Sequence, residues 1–491
     1  MLRILACVPF VLAAACGPST GSPDAADTAD AADGADAPDA EEDGWEFSWD
    51  APPDRDAVDG RYYHPFEVLP SSAIPAPAGW QIRRGIIHAH SVYSHDACDD
   101  EPFIDGARNE ACFQQLRAAV CEDAQDFLFL TDHAALFADH EFPDVLLHEP
   151  GDTLIEREGL PVANRIPCGD GRDVIVCAGT ETGTMPIGLE RHVGDTPEQR
   201  HAAYDEVSAA AVAAFREAGA LAFVQHTEDW DVGTLRSLGL DGIEIYNLHH
   251  NLEADLGTVV NLVIDLGRRP WRVPIPELGL AAFLLENETD LATWSTLLAE
   301  GRMTGILATD VHRNAFDGLS TDGERLDSYR RLMHWFANYV LVPPGDVDDR
   351  TLKEAIRHGR LYGSFDLFGY PIGFDFFAEA GATRFEMGDE VPAAPAPTLR
   401  LLLPAVHHLD PDGPRPAIRG RILRAAAGGT WEEVAAGDAD ISCVAAAAGA
   451  YRAEVRITPE HLRPWLGLRA DLYVVERPWI YANPIYVGSP P

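Results

Sequence analysis

Five short apolar runs in this chain each lead into side chains able to ligate a metal ion. The run at 86–87 is followed by His88 and His90, and the run at 127–130 by Asp132 and His133. The run at 174–176 leads to Glu181, the one at 221–224 to His226, and the one at 305–307 to Asp310 and His312. Imidazoles mixed with carboxylates suit zinc, manganese or iron, whereas calcium takes all-oxygen shells. His88 and His90 are two residues apart, so on an extended segment they share a face and can hold one ion together. Each element alone is weak. A single histidine is more often a hydrogen-bonded structural residue, and Asp or Thr after a strand often caps a helix. The recurrence at one strand end after another is what weighs for a metal centre.

Such residues meet only if the fold gathers the strand ends. Between about residues 80 and 365 the apolar runs alternate with helical stretches near 105–121, 201–217, 253–266 and 288–300. This alternation predicts an α/β fold with a parallel sheet covered by helices. In a closed β/α barrel the carboxyl ends of the strands converge on one face, where the active site sits. Periodicity does not separate an open sheet from a barrel. Asn247 ends a further strand and is a candidate for substrate contact, while His249 and His250 read as solvated loop residues. Arg313 follows His312 directly; it could hold a phosphate or carboxylate bidentately or pair with a nearby acid. The long stretch between His133 and Asp173 has few strand or helix signals and reads as a lid, with His140 and His148 on its surface.

Taken together, these segments resemble the PHP (polymerase and histidinol phosphatase) family of metal-dependent hydrolases. The resemblance rests on His88-Ala89-His90-Ser91-Val92-Tyr93-Ser94-His95, Phe129-Leu130-Thr131-Asp132-His133, Gly179-Thr180-Glu181, Arg191-His192-Val193, Val224-Gln225-His226 and Thr309-Asp310-Val311-His312, in the family's order. It implies a distorted (β/α)7 barrel holding two or three divalent transition-metal ions. By position, one ion would take His88, His90, Glu181 and Asp310, and a second Glu181, His192 and His226. A third would take His133, His312 and either His95, which stands where the family usually has an aspartate, or the adjacent Asp96. Glu181 matches the family's bridging glutamate, so it would hold two ions close enough to bring a shared water to a near-neutral pKa, giving a hydroxide nucleophile. Glu181, His226 and Asp310 are then the residues expected to be essential for hydrolysis. The resemblance tilts the substrate towards small phosphoesters. Carbamates, amides or carboxylic esters on the same centre are the alternative, and a non-catalytic surface-binding protein is a third reading. The ending Trp479-Ile480-Tyr481-Ala482-Asn483-Pro484-Ile485-Tyr486-Val487 resembles the exported branch of the family similar to carbaryl hydrolase.

Composition sets the wider frame. The chain has 491 residues, 79 Asp+Glu against 37 Lys+Arg, and a formal net charge of -42. Such a surface repels phosphate backbones, which argues against a nucleic-acid partner. Residues 21–60 alone carry fourteen acidic side chains and one basic one, Arg55. After Arg3, residues 4–15 form an apolar run too short for a membrane span, which takes about 20 residues. The run ends in Leu12-Ala13-Ala14-Ala15-Cys16, which resembles a bacterial lipobox with the leucine one place further from the cysteine than usual. The expected organisation is a lipoprotein signal peptide at 1–16, an acidic disordered tether at 17–75, the metallohydrolase barrel at 76–365 and a small antiparallel β-sandwich at 366–491. The protein is then exported and lipid-anchored through Cys16 to the bacterial cell envelope, at the outer membrane, periplasm or cell surface. Cys98, Cys112, Cys121, Cys168, Cys177 and Cys443 permit disulfides in that compartment, and the sequence does not choose among the pairings.

Overall fold

The computed structural model describes residues 60–488 except 255, 270, 271 and 317. Cys16, the expected signal peptide and the tether as far as residue 59 lie outside the described residues. From Tyr63 onward the chain is packed: Tyr63, Leu69, Ser71 and Ile74 are buried, and the Tyr63 hydroxyl donates to the Leu367 carbonyl at 3.1 Å. The end of the segment expected as tether is therefore fastened to the folded body.

Strand β1 (Gln81–Ile87) pairs in parallel with β2 (Phe127–Phe129), and β2 in parallel with β3 (Asp173–Glu181). β2 and nearly all of β3 are buried along their length, which is why they read as unbroken apolar runs rather than alternating ones. Helix α1 (Glu110–Glu122) connects β1 to β2. Asn109 caps it by accepting from the Cys112 amide, and it buries Cys112, Phe113, Leu116, Ala119 and Val120, one face at helical spacing.

The expected wholly parallel sheet is in fact mixed. Strand β4 (Met185–Leu189) turns straight back on β3 and pairs antiparallel with it, because a connection of three residues cannot make the crossover that a parallel neighbour needs. β5 (Leu221–Phe223) then runs antiparallel to β4. β6 (Gly242–Asn247) and β7 (Thr304–Ala308) form a separate parallel pair. On the other edge of β1 lie β8 (Ala337–Val342) and β9 (Leu361–Ser364), both antiparallel to their neighbours. The stretch after His133 is not structureless: strands Thr153–Arg157 and Leu160–Pro167 form a hairpin that lies antiparallel on β3.

The (β/α)7 barrel does not close. The β6–β7 pair has no ladder to either side and is held at two seams. At one, the Asp310 amide donates to the His88 carbonyl at 3.0 Å, and Ala89 bridges Val311; at the other, the Asp241 amide donates to the Ala222 carbonyl at 2.8 Å. Gly242 permits the second approach, since a Cβ there would fall 2.1 Å from the Phe223 ring. Two asparagines replace the missing ladder along β7. Asn338 and Asn483 accept from the Leu307 and Gly305 amides through Oδ1 and donate to the same residues' carbonyls through Nδ2, so the backbone groups of these two residues are paired.

The C-terminal strands β10 (Ala417–Ala426), β11 (Thr430–Gly437), β12 (Gly449–Thr458) and β13 (Arg477–Ala482) are antiparallel, and β13 joins β9. A second antiparallel sheet is built from Asp375–Ala380, Thr383–Glu386, Thr398–Leu402 and Ile441–Val444. The expected β-sandwich is thus not free-standing, because one of its sheets continues the sheet that carries the strand ends. Cys98 pairs with Cys112 and Cys121 with Cys168; Cys177 is buried and unpaired, and Cys443 is also unpaired. Among the described residues no helix is long and apolar enough to cross a membrane.

Candidate metal centre

The strand ends meet in two adjoining groups. In the first, one ligand atom each from His88, Glu181, His226 and Asp310 lie within 4.8 Å of one another; in the second, the same holds for His90, Asp96, His133 and His312. His88 Nε2 touches Glu181 Oε2 and lies 3.0 Å from Asp310 Oδ1. His226 Nε2 lies 3.2 Å from Glu181 Oε1 and 3.5 Å from Asp310 Oδ2. In the second group the Nε2 atoms of His133 and His312 each stand 3.2 Å from Asp96 Oδ2. His90 joins the groups. Its Nε2 lies 3.2 Å from both His88 Nε2 and Asp310 Oδ1, and its ring stacks on His312 with centroids 3.8 Å apart.

The rings are oriented from behind. His88 Nδ1 faces Glu244 Oε1 at 2.5 Å, His133 Nδ1 faces the Glu181 carbonyl at 2.9 Å, and His312 Nδ1 faces the Asp310 carbonyl at 2.9 Å. A carbonyl or carboxylate can only accept, so each Nδ1 carries the hydrogen and each Nε2 is turned towards the groups. Fixing the tautomer in this way is how proteins present imidazole to a metal. The backbone is strained to do so. His88, His226 and Asp310 have φ of 70°, 46° and 53°, the left-handed region, which costs a non-glycine residue about 1–3 kcal/mol. Three strand ends sharing that departure put strain where the ligand atoms converge.

A cation fits what is left unsatisfied. Glu181 Oε2 and both carboxylate oxygens of Asp310 are buried, no backbone amide or hydroxyl donates to them, and they face imidazole nitrogens. Burial alone would lower the imidazole pKa values, yet the hydrogen bonds and charges of the surrounding carboxylates hold His226 at about 11 and His90 at about 9. Burial alone would likewise raise Glu181 and Asp310, yet the neighbouring histidines, His88 foremost, hold both well below the carboxylate range. A site that favours positive charge so strongly accepts either protons or a divalent ion in their place. The donor set of imidazole and carboxylate suits a divalent transition-metal ion.

Most of the residues expected from sequence come together here, and some do not. His192 stays apart. Its Nε2 faces the His140 carbonyl at 2.7 Å, its Nδ1 faces the Tyr204 hydroxyl at 2.9 Å, and burial lowers its pKa to about 4. Both ring nitrogens are engaged, so the expected site of Glu181, His192 and His226 does not form, and His226 joins His88 and Asp310 instead. Of His95 and Asp96, the structure brings in Asp96, whose Oδ1 accepts from Ser94 at 2.7 Å; His95 is exposed, with its ring 5.0 Å from that of His133. Arg313 pairs with Asp99 at 3.4 Å, the carboxylate that Arg325 holds bidentately. Asn247 donates to Glu244 Oε2 at 3.0 Å, which makes it a support for the site. Asp132 is not in either group: it accepts from the Ser91 amide and hydroxyl and fixes the loop after β1, and burial pushes its carboxyl up to about 6.

Two residues were missed. Glu244 is fully buried in β6 and accepts from His88, the His226 amide and Asn247, so it positions two candidate ligands at once. A lone carboxylate inside an apolar strand was the signal for it. His249 places Nδ1 3.4 Å from Asp310 Oδ2 with half its side chain exposed, on the open side of the first group.

No family model matches the chain, and no curated protein matches it at a significant level. Two solved structures show some likeness. The crystal structure of PsfC from Pseudomonas syringae PB-5123 is 15% identical, covers 56% of this chain and 88% of that one, and has a TM-score of 0.29. A two-domain protein from Bacteroides vulgatus ATCC 8482, described as containing a predicted PHP-like metal-dependent phosphoesterase, is 12% identical, covers 85% of this chain and 99% of that one, and has a TM-score of 0.28. Likenesses of this degree carry no argument about fold or activity, and the candidate metal centre rests on its own geometry.

Proposed function

We propose that this chain is a metal-dependent hydrolase of small phosphoesters. The observation that carries the reading is the set of imidazoles locked from behind, with Nε2 turned towards buried carboxylate oxygens that no backbone amide or hydroxyl reaches. Divalent ions held there supply an activated water and offset charge on the attacked oxygen. Glu181 offers Oε2 to His88 and His90 and Oε1 to His226, so it touches histidines of both groups, which supports a bridging role. His249, half exposed beside Asp310 Oδ2, would touch a substrate seated over that carboxylate. The preference for phosphoesters rests on the motif resemblance over residues 88–312.

The purified protein, supplied in turn with Mn²⁺, Zn²⁺ and Fe²⁺, is expected to hydrolyse p-nitrophenyl phosphate or bis-p-nitrophenyl phosphate, with the activity lost to chelator. Cleavage of p-nitrophenyl acetate or an aryl carbamate alone would replace the substrate class. Inertness towards all of them would favour a binding role.

Export and anchoring belong to the same proposal. The mature chain is expected to begin at Cys16 with a lipid on its sulfur, and Cys16→Ser to move the protein out of the membrane fraction. Mass spectrometry of an unlipidated wild-type N-terminus would contradict this.

A further inference from the structure

Away from the strand ends, a further histidine cluster ties the start of the described chain to its C-terminal part. Glu67 Oε1 lies 3.0 Å from His407 Nδ1 and 2.8 Å from His408 Nδ1, and the two rings stack with centroids 3.6 Å apart. The three ligand atoms lie within 4.8 Å of one another, and no residue is shared with the other two groups.

Neighbouring residues on an extended chain point to opposite faces, so two adjacent histidines do not ordinarily offer the same ring atom to one oxygen. Here His408 takes φ 52°, the left-handed region, at a cost of about 1–3 kcal/mol. The dipeptide is held in that shape from both sides. The His407 amide donates to the Tyr370 carbonyl at 3.1 Å, and the His408 carbonyl accepts from the Tyr63 amide at 2.7 Å. Two neutral imidazoles donating to one carboxylate oxygen would account for that oxygen alone. Glu67 Oε2 remains buried without a hydrogen bond, and so does Nδ1 of His64, whose carbonyl accepts from the Glu67 amide one turn earlier.

We propose that Glu67, His407 and His408 bind one divalent transition-metal ion of the zinc class, which pins the segment around residue 67 to the turn after the strand Ala405–Val406. Two imidazoles and a carboxylate form a three-ligand zinc set, with a fourth position left for water or His64. Ligand atoms about 2.0–2.1 Å from a tetrahedral ion lie roughly 3.3 Å apart, so the observed gaps need to open by only a few tenths of an ångström. The ion joins residues 340 apart in sequence, and its role is structural: binding free energy at such a site is folding free energy.

The test is zinc content by elemental analysis of the full chain, loaded with Zn²⁺ and dialysed, in wild type, His407→Gln and Glu67→Gln. Each variant is expected to carry one zinc fewer per chain than wild type and to lose part of the zinc-dependent rise in melting temperature. The count is a difference, so it stands whether or not the hydrolase centre is occupied. Equal zinc in wild type and both variants would overturn the proposal. Should a variant fail to fold, wild type alone decides: Zn²⁺ is expected to protect His407 and His408 from diethylpyrocarbonate, read by peptide mass spectrometry, and modification unchanged by Zn²⁺ would overturn it.

Discussion

Asp310→Asn and His226→Asn are each expected to lower kcat/KM on the phosphoester by ~10³-fold or more, equivalent to about 4 kcal/mol of transition-state stabilisation. Asp310 Oδ1 and Oδ2 face His88 and His226 on separate sides, so losing its charge removes a ligand and the counter-charge to both rings. His226 reaches Glu181 from the side opposite His88, so its loss opens the first group along one flank. Asparagine is the substitution of choice because both positions sit in the left-handed region, which asparagine tolerates and alanine does not. The backbone bond from the Asp310 amide to His88 is kept, so melting is expected to change little. Wild-type turnover in both variants would move the active site elsewhere and bring the binding-protein reading forward.

Glu244→Gln is the second large effect, and it acts through other residues. Glu244 is fully buried behind the first group, where it holds the His88 ring, the His226 amide and the Asn247 side chain. Glutamine keeps the volume but turns one acceptor into a donor, so either the His88 contact at Oε1 or both the His226 and Asn247 contacts at Oε2 become clashes of hydrogens. Substitution behind a metal ligand costs about 10–100-fold in metal affinity. The expected signature is activity that falls at limiting metal and recovers towards wild-type kcat when metal is raised, measured by titrating Mn²⁺ or Zn²⁺ into the apo-protein. A loss of kcat that excess metal does not restore would contradict a positioning role.

The chemistry was more legible than the architecture. Strands at 86–87, 127–130, 174–176, 221–224 and 305–307 were readable because burial on both faces leaves unbroken apolar runs, and the ligand-type residues follow them. Their direction was not readable. Met185–Leu189 carries a proline and a glycine and lacks strand propensity, so the hairpin that makes the sheet mixed left no signal. That hairpin also explains His192, which matched a motif by order yet is carried to the far side of the turn, against Tyr204. The strands Thr153–Arg157 and Leu160–Pro167 are half exposed with no clean alternation, so they read as a lid. Asp96 and His95 are adjacent, and the choice between them depends on the loop that turns Asp96 towards Ser94, His133 and His312. His249 was set aside as solvated because nothing local distinguishes a histidine facing water from one facing a site.

The central claim is that both groups at the strand ends hold transition-metal ions, and anomalous diffraction tests it most directly. Crystals grown with Mn²⁺ or Zn²⁺ and measured on both sides of the metal's absorption edge are expected to show one anomalous peak among His88, Glu181, His226 and Asp310. A second is expected among His90, Asp96, His133 and His312. The first peak should vanish in Asp310→Asn crystals. Crystals that contain the metal in their mother liquor, yet show no anomalous density at either group, would contradict the account.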